Sequence, residues 1–187
     1  MPVQHVADPV LASMKRGITS ASLRALLKRI RSEVPGIALR TTLIVGYPAE
    51  GEKEFEELLA FVTEAEFDRL GVFQYSQEDG TTAFGLGDPV PAEVKEERHA
   101  RIMEAQQEVS LRKNRAKIGA TLPVLIDSVE DRVAIGRTEH DAPDVDNEVT
   151  IHAADGLTVG QMCPVTIVDA DAYDLFGVPA DSGPPSA

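Results

Sequence analysis

Cysteine is almost absent from this chain: Cys163 is the only one in 187 residues. A lone thiol forms no internal disulfide, and it supplies one of the roughly four ligands that zinc or an iron–sulfur cluster takes. It reads as a small buried side chain in a strand. Long apolar runs are missing as well. None approaches the roughly 18 residues of a membrane span, and the N-terminus lacks the basic and then apolar pattern of a secretion signal. The cytoplasm is therefore the expected compartment, with no membrane partner. Neither a Walker motif, nor GxGxxG, nor a nucleophile elbow occurs.

Positive charge is the next shortage. Eighteen Lys and Arg face 31 Asp and Glu, for a net charge of −13. From Lys117 onward three basic residues (Lys117, Arg132, Arg137) stand against thirteen acidic ones, a net of −10, whereas residues 1–116 carry 15 against 18, a net of −3. Such a field repels polyanions and draws basic partners. It serves equally as a solvated surface that maintains solubility. With 43% hydrophobic content, the chain has material for one good core and a second small one, hence one or two domains.

The first 116 residues alternate between strand and helix. Pro2 to Val6 is short and apolar, as a buried strand is, and Asp8-Pro9 fits a helix start. Thr19 or Ser20 caps a second helix, whose Leu23, Leu26, Leu27, Ile30 and Val34 recur at helical spacing until Pro35-Gly36 stops it. Ile37 to Gly46 reads as a parallel strand covered on both faces. Gly51 to Phe67 follows as a helix with Phe55, Leu58, Leu59 and Val62 on one stripe and acidic residues in its first turns, where the helix dipole favours them. Arg69 to Tyr75 is a further strand. This alternation predicts a parallel βαβ layer, either an open sheet or part of a barrel. In both, ligands meet the carboxyl ends of the strands, here Gln4-His5, Gly46-Tyr47-Pro48 and Gln74-Tyr75-Ser76.

Residues 77–90 are predicted to form a loop, and Pro91 to about Ile118 one long charged helix with a thin apolar stripe through Val94, Ile102, Gln106, Val109 and Lys113. From Thr121 the pattern changes to short strands: Thr121 to Val129, Val133 to Thr138, Val149 to His152, Pro164 to Asp169 and Ala172 to Phe176. Five such strands in about 60 residues indicate a small all-β barrel of the oligonucleotide-binding kind. The expected divisions are 1–116, with the long connecting helix, 117–179 for the barrel, and a disordered tail over 180–187.

Few residues declare their chemistry alone. Gln4 and His5 are ambiguous, since a single His at a strand end is more often a hydrogen-bonded structural residue than a catalyst. Gly46-Tyr47-Pro48 reads as a turn. Arg40 lies within an otherwise apolar strand and so needs a partner, either a ligand carboxylate or a protein carboxylate. No catalytic residue and no metal ligand set is assigned.

Four ordered blocks go further: PVQHVADPVLASMKRGIT, RTTLIVGYPAEGEKEFEELLAFV, FDRLGVFQYSQEDGTTAF and IGRTEHDAPDVDNEV. Together they resemble the radical S-adenosylmethionine (SAM) methylthiotransferase family, most closely its RimO-type branch. The resemblance extends to about Pro179. It implies a fold of class α/β: the C-terminal part of a radical SAM, TIM-like partial barrel followed by a small all-β TRAM barrel. It implies a transferase that methylthiolates an aspartate of small-subunit ribosomal protein twelve, using SAM and 4Fe-4S clusters whose cysteine ligands are not in this chain. The chain alone is accordingly expected to be inactive. The resemblance further implies a SAM-facing set: Gln4 and His5 on one strand end, Arg40, Thr42, Ile44 and Gly46 on the next strand, and Phe73, Gln74 and Tyr75 ending the last. Gly46 would allow close approach to the adenine, the backbone of the last strand would bond to the adenine edge, and Arg40 would fix the methionine carboxylate or the substrate.

A sister branch modifies transfer RNA, for which a basic TRAM domain is expected. The net −10 instead favours a basic ribosomal protein as partner, with nucleic acid not expected as a direct ligand. The complete enzyme is taken as a monomer. Two alternatives stay open, a transfer RNA methylthiotransferase fragment and a non-catalytic module that binds a basic protein. Because Met1 falls inside the family's barrel and would leave a strand edge uncovered, truncation is the expectation over a stand-alone module.

Overall fold

The computed structural model describes residues 1–143 and 146–180. The chain divides into two compact units, residues 1–109 and Ser110 onward. The tail from residue 181, expected to be disordered, lies outside the described residues, as does the Asp144-Val145 part of the fourth sequence block.

In the first unit α1 (Asp8–Ser13) and α2 (Ser20–Glu33) precede β1 (Arg40–Val45), α3 (Glu52–Ala65), β2 (Arg69–Gln74) and α4 (Ala92–Arg115), the last running on into the second unit. Local chemistry sets these bounds. Thr19 caps α2 through a reciprocal pair with Ser22, which satisfies two of the free N–H groups of the first turn. Asp8 is not the cap of α1. It occupies the first helical turn after Ala7, and its carboxylate accepts the Ser20 N–H at 2.6 Å. Glu66 ends α3 in the left-handed conformation that a residue closing a helix adopts.

β1 and β2 pair in parallel, Arg40 with Arg69 through Val45 with Gln74, so α3 is the crossover of a βαβ unit. The segment expected as a first strand contributes a single parallel bridge, Gln4 with Leu43. Gln4 takes φ = +69°, which a strand does not tolerate, so pairing stops at one residue. Its N–H still donates to Thr42 O and its carbonyl accepts from Ile44.

The expectation that β1 is covered on both faces is corrected. Its burial alternates: Thr41, Leu43 and Val45 are buried, whereas Thr42 and Ile44 are half-buried and Arg40 is exposed. Leu43, Val45 and Val72 share a core with Leu23 and Leu27 of α2, Phe55, Leu58, Phe61 and Val62 of α3, and Ile102 of α4. The helices thus bury one face, and alternation is what a strand with one wet face shows.

The second unit is a closed barrel of β3 (Thr121–Glu130), β4 (Val133–Thr138), β5 (Val149–His152), β6 (Met162–Ala170) and β7 (Leu175–Pro179), in the order β3-β4-β5-β7-β6. Only β5 and β7 are parallel. The final strand begins at Leu175, not Ala172, because Asp171 uses its carboxylate to cap the turn through the N–H groups of Tyr173 and Asp174. Val124, Ile126, Ile151, Val165, Ile167 and Leu175 fill the interior together with Cys163, the small buried thiol the sequence suggested. Closure removes free strand edges.

Candidate functional site

The carboxyl ends of β1 and β2 and the Gln4-His5 segment meet in the first unit, where a buried polar network holds them. At its centre is Glu50, whose side chain is fully buried. One oxygen accepts the Gly46 N–H at 2.8 Å and Arg98 Nη1 at 2.7 Å. The other lies 3.0 Å from His5 Nε2. His5 Nδ1 accepts the Ala7 N–H at 3.0 Å, so the proton sits on Nε2 and points at the carboxylate. With 0% exposure and both nitrogens engaged, His5 stands behind the strand ends. Arg98 adds a bond to Glu50 O at 3.1 Å and stacks on the Phe55 ring at 5.2 Å.

A second buried cation closes the other side. Lys95 Nζ donates to Tyr75 O at 2.9 Å and to Asp88 at 2.6 Å, with the Tyr75 ring centroid 5.6 Å away. The Tyr75 N–H is held by Val45 O at 2.9 Å. Both backbone groups of Tyr75 are therefore spent inside the protein. Its ring meets Tyr47 edge-on at 5.3 Å, and its hydroxyl donates to Ala83 O. Partial burial, then Tyr47, then the Asp88 carboxylate push the Tyr75 phenol above its usual value. It remains a donor at neutral pH.

Each candidate residue now has a place. Arg40, Thr42 and Ile44 share one face of β1 with Arg69, Gly71 and Phe73 of β2, since parallel partners point to the same side. On that face Gly71 leaves room, and Phe73 is 60% exposed. Gln74 is exposed at the end of β2. Ile44, Gly46, Phe73, Gln74 and Tyr75 thus gather at the carboxyl rim beside Gln4. Arg40 does not join them: it opens β1, six residues and roughly 20 Å of strand from Gly46. The buried charge expected for Arg40 is not found, because the position is exposed. The space beside Gly46 also differs from expectation. Gly46 has φ = +74°, and a Cβ there would overlap the Lys95 side chain, so the close approach this glycine permits is to Lys95.

Glu50, Lys95 and Arg98 were missed by sequence reasoning. The signal lay in α4: its buried column is Lys95, Arg98, Ile102, Gln106 and Val109, a helical spacing in which polar residues complete a stripe that apolar matching alone leaves thin. Among the described residues no group of three or more His, Cys, Asp or Glu side chains is placed to hold a metal ion. No helix there is long and apolar enough to cross a membrane.

Residues 118–179, the closed barrel, match the TRAM domain family, which makes this a TRAM-bearing protein with an α/β unit ahead of the barrel. The chain is 51% identical over 181 residues to the "Ribosomal protein uS12 methylthiotransferase RimO" of Chloroherpeton thalassium, covering 95% of this chain and 42% of that protein. The proteins of the same name from Chlorobium phaeobacteroides and Cytophaga hutchinsonii are 51% and 49% identical, again over 95% of this chain and over 40% and 41% of theirs. The chain is a homologue of the RimO-type methylthiotransferase family. It spans about two fifths of the length of the curated relatives it matches.

Proposed function

We propose that this chain is part of a radical SAM methylthiotransferase that places a methylthio group on an aspartate of ribosomal protein uS12 in the cytoplasm. The observation that carries the reading is the 51% identity to RimO-named proteins across 95% of the chain. In this reading residues 1–116 are the later part of the radical SAM barrel, with its connecting helix, and residues 117–179 are the TRAM domain.

A 4Fe-4S cluster does not fit the residues present, since the only thiol, Cys163, is buried in the β-barrel. No step is assigned to a cluster on this chain. SAM does fit. Thr42, Ile44, Gly71 and Phe73 offer a half-open apolar face on which a planar base packs, beside the Gln4, Gly46, Gln74 and Tyr75 rim. Bound there, SAM would supply the radical and methyl chemistry. The chain's own part is to bind and orient: Ile44 and Phe73 contribute apolar surface, and the Glu50 network holds Gly46 in its left-handed conformation. His5 acts from behind, through Glu50, and Arg40 lies too far along β1 to share the rim contact.

The TRAM barrel selects the partner. Arg132 and Arg137 are paired with Asp155 and Asp127 at 2.8 and 2.6 Å, so neither offsets the remaining negative surface. A basic ribosomal protein is attracted to such a surface and a polyanion is repelled. The acidic barrel also favours a second reading, a module that binds the basic protein without catalysis.

The test is tandem mass spectrometry of uS12 after incubation with SAM and the complete, cluster-loaded protein containing this chain. A methylthio group on one aspartate is expected. Modification of transfer RNA instead would replace the branch, and salt-sensitive uS12 binding without modification would support the module.

A further inference from the structure

We infer that Lys95, a residue of α4 outside the strands, is the positioning residue that sets the shape of the ligand rim. The inference rests on the proposed SAM reading of that rim and adds to it the part that fixes its geometry. From α4, Lys95 touches the ends of both strands and the following loop. Its stem fills the space beside Gly46 at the end of β1, its ammonium holds the carbonyl of Tyr75 at the end of β2, and its pair with Asp88 fastens residues 76–90. Arg98, three residues on and on the same side of α4, grips Glu50 in the β1–α3 loop. The helix thus reaches each strand end through a cation.

Packing alone does not explain a lysine here. Burying an ammonium is costly unless it is paired, and the Lys95 side chain is 7% exposed. An apolar side chain of the same length would cover Gly46 without that cost. What only the ammonium provides is a donor aimed at Tyr75 O and a charge for Asp88. With Val45 O holding the Tyr75 N–H, the peptide plane of Tyr75 is pinned from both sides. The free edge of Gln74 and the exposed face of Phe73 are then presented in one orientation. A rim fixed before the ligand arrives binds more tightly, because the ordering cost is not met at the moment of binding.

The experiment uses the complete, cluster-loaded protein and S-adenosylhomocysteine as probe, with calorimetric affinity and hydrogen exchange read together. Lys95→Met keeps the stem over Gly46 and removes only the ammonium. It is expected to weaken binding at least tenfold and to speed exchange across residues 73–88, with little change elsewhere. Lys95→Arg, which keeps a donor and a charge, is expected to recover most of the affinity, whereas a packing role predicts that Met serves and Arg, being bulkier, does not. Should Lys95→Met fail to fold, Asp88→Asn releases the loop alone and is expected to raise exchange in 76–88 and weaken binding severalfold. Affinity and exchange within twofold of wild type in Lys95→Met, or in Asp88→Asn where Met does not fold, would overturn the inference. If the wild-type protein itself binds no probe, the SAM reading fails, and the exchange measurement still decides whether Lys95 pins the rim.

Discussion

Replacing Glu50 by Gln removes one charge and no volume, and the structure makes it among the most damaging single changes available in the first unit. Three donors converge on this carboxylate: the Gly46 N–H, the His5 Nε2–H and Arg98 Nη1. A carboxylate accepts all three, whereas an amide has a single accepting oxygen and turns its own NH2 toward at least one donor. Arg98, 8% exposed, would lose the charge of its buried partner, leaving only the exposed Glu52 carboxylate at 3.3 Å. Breaking a buried pair from one side costs about 3–5 kcal/mol. For a unit of this size about 1 kcal/mol moves the midpoint by roughly 4–8 °C, so a fall of about 12 °C or more is expected. The assay is differential scanning calorimetry, with hydrogen exchange assigning the shifted transition to residues 1–109 rather than to the barrel. A fall of under about 2 °C for Glu50→Gln, less than the roughly 4 °C of a 1 kcal/mol loss, would refute the claim that this carboxylate organises the strand ends.

The barrel offers a steric counterpart. A Cβ on Gly177 would stand 2.8 Å from Thr166 O and overlap Val165, so Gly177→Ala should cost about 1–3 kcal/mol by overpacking, measured as a shift of the barrel's urea midpoint with an unchanged slope. The Tyr75 phenol is raised, so the folded state holds its proton more tightly. Its stabilising share is complete below about pH 10 and is lost as pH rises through the folded value. Phenolate absorbance should show a late-titrating phase that Tyr75→Phe removes. The proposed association of the acidic barrel with uS12 should weaken as salt rises from low to physiological, because exposed charges are screened beyond about 8–10 Å. A salt-independent affinity measured by calorimetry would count against electrostatic recognition.

How far the sequence alone reached can be followed residue by residue. The helices α2 and α3, the strands β3 to β5 and the change of pattern near Thr121 were legible, because each rests on a local rule: helical spacing of Leu and Phe, alternation in a strand, or a Thr-Ser cap. The acidic bias from Lys117 onward is likewise a count. Gly46 and Tyr75 could be placed at strand ends because such ends follow from the βαβ alternation, whereas Ile44 and Phe73 rested on the family resemblance. What the local rules could not reach was contact across the chain. Glu50 and Arg98 lie 48 positions apart, and Lys95 and Gly46 lie 49 apart. Nothing in either neighbourhood shows that a lysine stem fills the space a glycine leaves, or that a buried carboxylate takes up the second nitrogen of His5. Arg40 reads as buried in a run of apolar letters, yet a strand presents alternate residues to opposite faces, and only the packing of α2, α3 and α4 on one side decides which face stays wet. Periodicity determined the elements and composition the charge. The tertiary structure alone decided which polar side chains meet, because hydrogen bonds between distant residues depend on where the folded backbone carries them.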